Sequence, residues 1–180
     1  ADCFIKGGSY DTNRDFYSPT WPSMDILISS NLGRLLFVAS DYDDKLVAAL
    51  MEQLAKGGSY QVAADVFAKI EADFDAGCCD DAAAAQTIRE LWENEHYLCD
   101  THTAVAVRVY EDYRERTGDT TPAVIASTAS PFKFCRSVIE ALGGTLEKDD
   151  VSQLDVLTGL TGVPAPAPLA ALAGKTPRFD

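Results

Sequence analysis

Apolar positions along the 180-residue chain recur mostly at helical spacing, in blocks separated by glycine pairs, aspartates and prolines. Residues 1–21 show no sustained period. Gly7, Gly8, Asp11 and Asn13 in KGGSYDTNRD supply turn chemistry there, which predicts an irregular opening segment. Pro22 stands where the first residue of a helix is favoured, and SMDILISSNLGRLLFVAS follows it. Met24, Ile26, Leu27, Ile28, Leu32, Leu35, Leu36 and Phe37 leave this helix little polar face, so it is predicted to be largely buried. Ser29, Ser30, Asn31 and Arg34 would then need partners, because a buried polar group without one is costly. Further helices are predicted at about 42–56, 60–73, 80–95 and 101–117, making 22–117 a helical region. Asp80 and Asp81 suit the positive end of the third of these, Asp100 reads as a cap, and Gly118 is a natural stop.

The period changes once. TPAVIAST predicts a buried strand at 122–127, and a helix behind it sets Phe134, Cys135, Val138, Ile139 and Leu142 on one face before Gly143 and Gly144 end it. This strand, turn and helix occupy 121–145. The remainder, 146–180, predicts short helices near 150–160 and 167–173, joined by the extended linker VPAPAP, and a tail. One strand among many helices is not a self-sufficient α/β sheet. Either the chain is all-α with one buried extended segment, or the rest of the sheet lies outside this sequence.

Composition narrows the partners. The length suits a single domain, 1–180, with a proper core. A net charge of −13 repels phosphate backbones and anionic membranes, which argues against nucleic acid as a partner. No apolar run approaches the roughly 20 residues that span a bilayer. Cys3, Cys78, Cys79, Cys99 and Cys135 are odd in number, with two adjacent, a poor disulfide framework that fits a reducing, cytoplasmic setting.

Candidate chemistry concentrates at the strand-to-helix turn. In α/β folds ligands collect beyond the ends of parallel strands, near the start of the next helix, and Ser127, Thr128, Ala129 and Ser130 stand there. Ser130 before Pro131 also makes a good N-cap, so a capped helix with no ligand explains the same residues. Lys133 in PFKF could be a reactive lysine only in an environment that lowers its pKa; a solvated first-turn residue is the simpler reading. His96, Cys99 and His102, with Cys78 and Cys79 upstream, are ligand types that zinc accepts, but the usual paired spacings are missing. KGGSY occurs twice, at 6–10 and 56–60, in unlike flanks, and reads as coincidence.

Three motifs in order, SPTWPSMDILISSNLGRLLF, CDTHTAVAV and TPAVIASTASPFKF, resemble the C-terminal part of threonine synthase in its longer bacterial and fungal form. The resemblance covers nearly the whole chain. It implies an α/β fold of the tryptophan-synthase-β-like kind, of which this chain would be a helix-rich C-terminal portion with few strands of its own. It also implies a pyridoxal-phosphate enzyme that converts O-phospho-L-homoserine and water into L-threonine and phosphate.

In that family a threonine hydroxyl in an STA motif lies near the pyridine nitrogen of the cofactor. The resemblance carries this role to Thr128, with Ser127 and Ala129 beside it, and makes His102 and Thr103 pocket-lining candidates. There are departures. Ser130 and Phe132 stand where the family usually has histidine and alanine, and Gly33 replaces an acidic residue. The Schiff-base lysine and the glycine-rich phosphate loop have no counterpart here. The resemblance therefore implies that the N-terminal portion of the same enzyme is the partner, and that this chain alone is inactive. Readings outside the enzyme class are a short homologue acting as a binding module and a small zinc-binding helical domain.

Overall fold

The computed structural model describes residues 2–13, 28, 29 and 31–175. The chain divides into two compact units, Ala1–Cys78 and Cys79–Asp180.

The first unit contains α1 (Asp2–Gly7), β1 (Ser9–Asp11), α2 (Leu32–Ala39), α3 (Asp44–Gly57), β2 (Ser59–Gln61) and α4 (Ala64–Asp73). Its core gathers Phe4, Tyr10, Leu36, Leu50, Leu54, Tyr60, Val66 and Ile70, with α2 against α3 and α4. Local chemistry sets the helix ends. The Asp43 carboxylate accepts the Leu46 amide at 2.9 Å to start α3, and Gly58, left-handed at φ 73°, ends it.

The two KGGSY copies take equivalent places in the fold. Each copy ends a helix, turns through a left-handed glycine (Gly8, φ 66°; Gly58, φ 73°) and enters a short strand. The two strands pair antiparallel with Tyr10 opposite Tyr60, so the copies are related by an approximate two-fold. The symmetry continues past the strands, where the Thr12 amide donates to Gly58 O at 2.7 Å and the Val62 amide to Gly8 O at 3.0 Å. Both glycines are required, since an added Cβ would meet the Phe67 ring at 2.9 Å at Gly8 and the Asn13 side chain at 2.6 Å at Gly58.

Other expectations need correction. Residues 2–11 form a helix and a strand rather than an irregular segment, because Phe4 and Tyr10 reach the core. Of the helix expected behind Pro22, Ile28 and Ser29 are not helical and α2 runs over Leu32–Ala39; the expectation for 22–27 and Ser30 lies outside the described residues. That helix is buried along one stripe only. Leu32, Leu36 and Ala39 are buried, whereas Phe37 and Val38 are exposed, as is Ile28 ahead of it. Asn31 and Arg34 find solvent, and the Ser29 amide donates to the Tyr10 phenol oxygen at 2.8 Å.

The second unit contains α5 (Asp81–Glu95), α6 (Thr101–Thr117), α7 (Cys135–Ala141), α8 (Ser152–Thr161) and α9 (Ala167–Ala170), with a 3-10 turn over Pro131–Phe134 ahead of α7. Helix α5 packs on α6 and α7, and α7 on α8. Ala84, Ile88, Ala104, Val138, Ile139 and Leu157 are fully buried between them. Arg89 Nε donates to Ala141 O at 2.8 Å, which satisfies a carbonyl at the end of α7. Of the face expected on that helix, Cys135, Val138 and Ile139 are buried, with Phe134 and Leu142 at its half-buried margin.

The strand expected at 122–127 is absent. Residues 118–128 form neither helix nor strand, and Val124 is 97% exposed. A strand needs a neighbour to complete its hydrogen bonds, and among the described residues none lies beside this segment.

Candidate functional site

The site is built from Asp100, which is fully buried. As the N-cap of α6 it accepts the His102 amide at 2.8 Å and the Thr103 amide at 3.3 Å, both on Oδ1. The same oxygen lies 3.1 Å from His102 Nδ1. A carboxylate oxygen only accepts, so Nδ1 carries the ring proton in this contact. The imidazole also meets the Phe134 ring at 4.8 Å, tilted by 55°.

The second oxygen, Oδ2, accepts from Thr103 Oγ1 in a short hydrogen bond. Thr103 Oγ1 in turn lies 3.1 Å from Ser127 Oγ, 24 residues along the chain. A hydroxyl has one proton to give. Since Thr103 gives its proton to the carboxylate, Ser127 must be the donor in the second bond. Ser127 therefore spends its proton inward and keeps its lone pairs for whatever lies outside.

Ser127 and Thr128 are exposed, and Ala129 is half-buried. Thr128 has no side-chain hydrogen bond among the described residues. Ser130 caps the next turn as its sequence suggests, accepting the Phe132 amide at 3.3 Å with Pro131 following. The structure thus joins Thr103 and Ser127 directly and attaches His102 to the same carboxylate. Thr103 is buried as the link in this chain, and no hydrogen bond ties Thr128 or Ala129 to it. Sequence reasoning identified Asp100 as a cap; no local signal marks its second oxygen or the reach of Thr103 to Ser127. Thr101 Oγ1, also in this first turn, is buried with no hydrogen-bond partner.

The other candidate groups lie elsewhere. Lys133 is exposed, its ammonium 5.4 Å from the Phe134 ring centroid. Cys99 is buried, and burial first, then the charge of Asp100, pushes its thiol up to about 12. His96 is the left-handed residue that ends α5, edge-on to Trp92. Among the described residues no three His, Cys, Asp or Glu side chains converge on a metal position. Cys78, Cys99 and Cys135 are free thiols, and no described helix is long and apolar enough to cross a membrane.

Comparison with known proteins addresses the fold and the family. Residues 103–179 match the family model "Threonine synthase, C-terminal". The chain is 33% identical to threonine synthase of Saccharomyces cerevisiae over 166 residues, which is 82% of this chain and 32% of that protein. It is 32% identical to human threonine synthase-like 1 over 163 residues, 89% of this chain and 22% of that one. The PLP-bound threonine synthase of Brucella melitensis superposes with a TM-score of 0.72 at 33% identity, over 87% of this chain and 33% of that chain. The yeast crystal structure gives 0.75 at 28% identity, over 96% and 35%. The chain thus spans about a fifth to a third of the relatives it matches. In motifs, family match and fold, the chain is similar to threonine synthases and matches a C-terminal portion of their structure.

Proposed function

We propose that this chain forms the cofactor-side C-terminal part of a threonine synthase. The intact enzyme would convert O-phospho-L-homoserine and water into L-threonine and phosphate with pyridoxal phosphate, as a carbon–oxygen lyase acting on phosphate. The observation that carries this reading is the Thr128 hydroxyl, exposed and without a hydrogen-bond partner among the described residues, on a loop held through Ser127.

The donor set fits the ring end of that cofactor. Thr128 offers a neutral hydroxyl for the pyridine nitrogen, and Ser127 and Ala129 flank it. The carboxylate of the site, Asp100, is fully buried with both oxygens engaged, so it does not compete for the ring. A hydroxyl shares a proton with the nitrogen without holding it there as a carboxylate would. Bound pyridoxal phosphate supplies the electron sink for elimination and replacement chemistry. His102 and Thr103 support the pocket from the first turn of α6.

Among the described residues no glycine-rich loop offers the phosphate end of the cofactor a cradle, and Lys133 is exposed with its ammonium beside the Phe134 ring. The Schiff-base lysine and the phosphate loop are assigned to the N-terminal portion of the same enzyme. The unpaired segment around Val124 is the surface assigned to meet it. The 180-residue chain alone is then catalytically silent.

The test compares the complete gene product with this chain, following phosphate release from O-phospho-L-homoserine. An immunoblot should show a native product well above the size of 180 residues. That product should turn over, Thr128→Ala should lower its rate on the order of tenfold, and Thr128→Ser should largely restore it. Turnover by the 180-residue chain alone, or full activity in Thr128→Ala, would sink the reading.

A further inference from the structure

The capping carboxylate at α6 does more than a cap requires. A helix N-cap needs one side-chain oxygen, and Oδ1 of Asp100 already serves the His102 and Thr103 amides. A surface cap leaves its other oxygen to water. Here the residue is fully buried, and Oδ2 takes the proton of Thr103 Oγ1. Thr103 is itself only 4% exposed, and its remaining capacity as an acceptor is met by Ser127 Oγ at 3.1 Å.

We propose that Asp100 is a positioning residue that acts through Thr103 to hold the Ser127–Ala129 loop and to fix the hydrogen-bond polarity of Ser127. The inference rests on the reading of that loop as the cofactor-side wall and adds the residues that hold it. Three facts give the relay its physical force. Residues 118–128 form no ladder that would hold the loop through its backbone. The relay runs from a buried anchor, already ordered by the α6 amides, to an exposed end. Its direction is set at the buried end, because the carboxylate can only accept.

Ser127 consequently presents lone pairs outward and no proton, while the adjacent Thr128 hydroxyl keeps both its donor and acceptor roles. A ligand group placed at Ser127 must therefore be a donor, such as an ammonium or another N–H or O–H. An acceptor such as a phosphate or carboxylate oxygen finds none at that hydroxyl.

The test uses the complete gene product with three substitutions and two measurements. Amide hydrogen exchange at Thr128 and Ala129 is followed without cofactor, and the affinity for pyridoxal phosphate is followed by its absorbance. Thr103→Val removes the hydroxyl at constant shape and leaves the Asp100 cap in place. It should speed exchange at both amides and weaken cofactor binding, each on the order of tenfold, the equivalent of one net hydrogen bond. Thr103→Ser keeps the hydroxyl and should bring both values back to within about twofold. Ser127→Ala cuts the relay at its exposed end, where folding is not at risk, and should reproduce the loosened loop.

Unchanged exchange in both Thr103→Val and Ser127→Ala would overturn the relay. If Thr103→Val does not fold, Ser127→Ala decides the matter by the same exchange measurement. Faster exchange with unaltered pyridoxal-phosphate affinity would uphold the relay while overturning the placement of this loop against the cofactor.

Discussion

The rings of Tyr10 and Tyr60 lie 9° from parallel with centroids 5.5 Å apart, and Phe4 meets both, at 6.3 Å and 6.0 Å. The two tyrosines are equivalent members of the two KGGSY copies and face one another across the β1–β2 ladder. Two strands of three residues would not hold alone in water. The aromatic cluster beneath them and the two glycine turns make the ladder part of the core.

This cluster predicts an alkaline limit to the stability of the first unit. Burial, and next the neighbouring Tyr10, pushes the Tyr60 phenol up from 10.0 to about 12. Between these values the folded chain keeps a proton that the unfolded chain has lost. The unfolded state then binds fewer protons, so stability falls as pH rises through this window and is fully retained below pH 10. Urea unfolding of wild type and Tyr60→Phe across that window should show a steeper loss in wild type. Parallel slopes would contradict the placement of this phenol.

In the second unit Gln153 is fully buried and acts as a clamp. Its Nε2 donates to Glu147 O at 2.6 Å and Asp149 O at 3.1 Å, and its Oε1 accepts the Glu147 amide at 3.3 Å. Gln153→Leu keeps the volume and strands these backbone groups. It should cost about 1–3 kcal/mol, read as a lower urea midpoint. Gln153→Glu should cost at least as much, because it aims a carboxylate oxygen at two carbonyls. A Gln153→Leu variant as stable as wild type would show that the 147–149 turn needs no clamp.

Thiol reactivity should separate the cysteines. Burial pushes Cys99 up to about 12 and Cys135 up to about 11, while Cys78 is exposed. The thiolate is the reactive form, so alkylation at mildly alkaline pH should label Cys78 and leave Cys99 and Cys135 intact until the chain is unfolded. Peptide mapping of the labelled protein reads this directly. Rapid labelling of Cys99 in the native protein would contradict a sealed first turn of α6.

Much of this protein was legible in the sequence where local chemistry decides. Helix α6 runs over Thr101–Thr117 as its pattern predicts, because Asp100 caps one end and Gly118 turns left-handed at the other. The Ser130–Pro131 start of the turn before α7 was readable for the same reason, since it joins residues two positions apart; the acidic start of α5 was readable from the helix dipole, and the structure adds that Asp80 caps it by accepting the Ala83 amide. Three ordered motifs also pointed to the family.

What only the tertiary structure decided involves partners far apart in the chain. The KGGSY copies become symmetric strands because residues 50 positions apart are brought together, and nothing in either copy encodes its mate. The apolar run 122–127 has the composition of a strand, yet strand formation depends on a neighbour that no residue in the run can supply. The tie from Asp100 through Thr103 to Ser127 spans an intervening helix and depends on how that helix returns its chain to the loop. Caps and periodicity are near-neighbour properties and are written locally; pairing and long-range hydrogen bonds exist only once the chain has closed on itself.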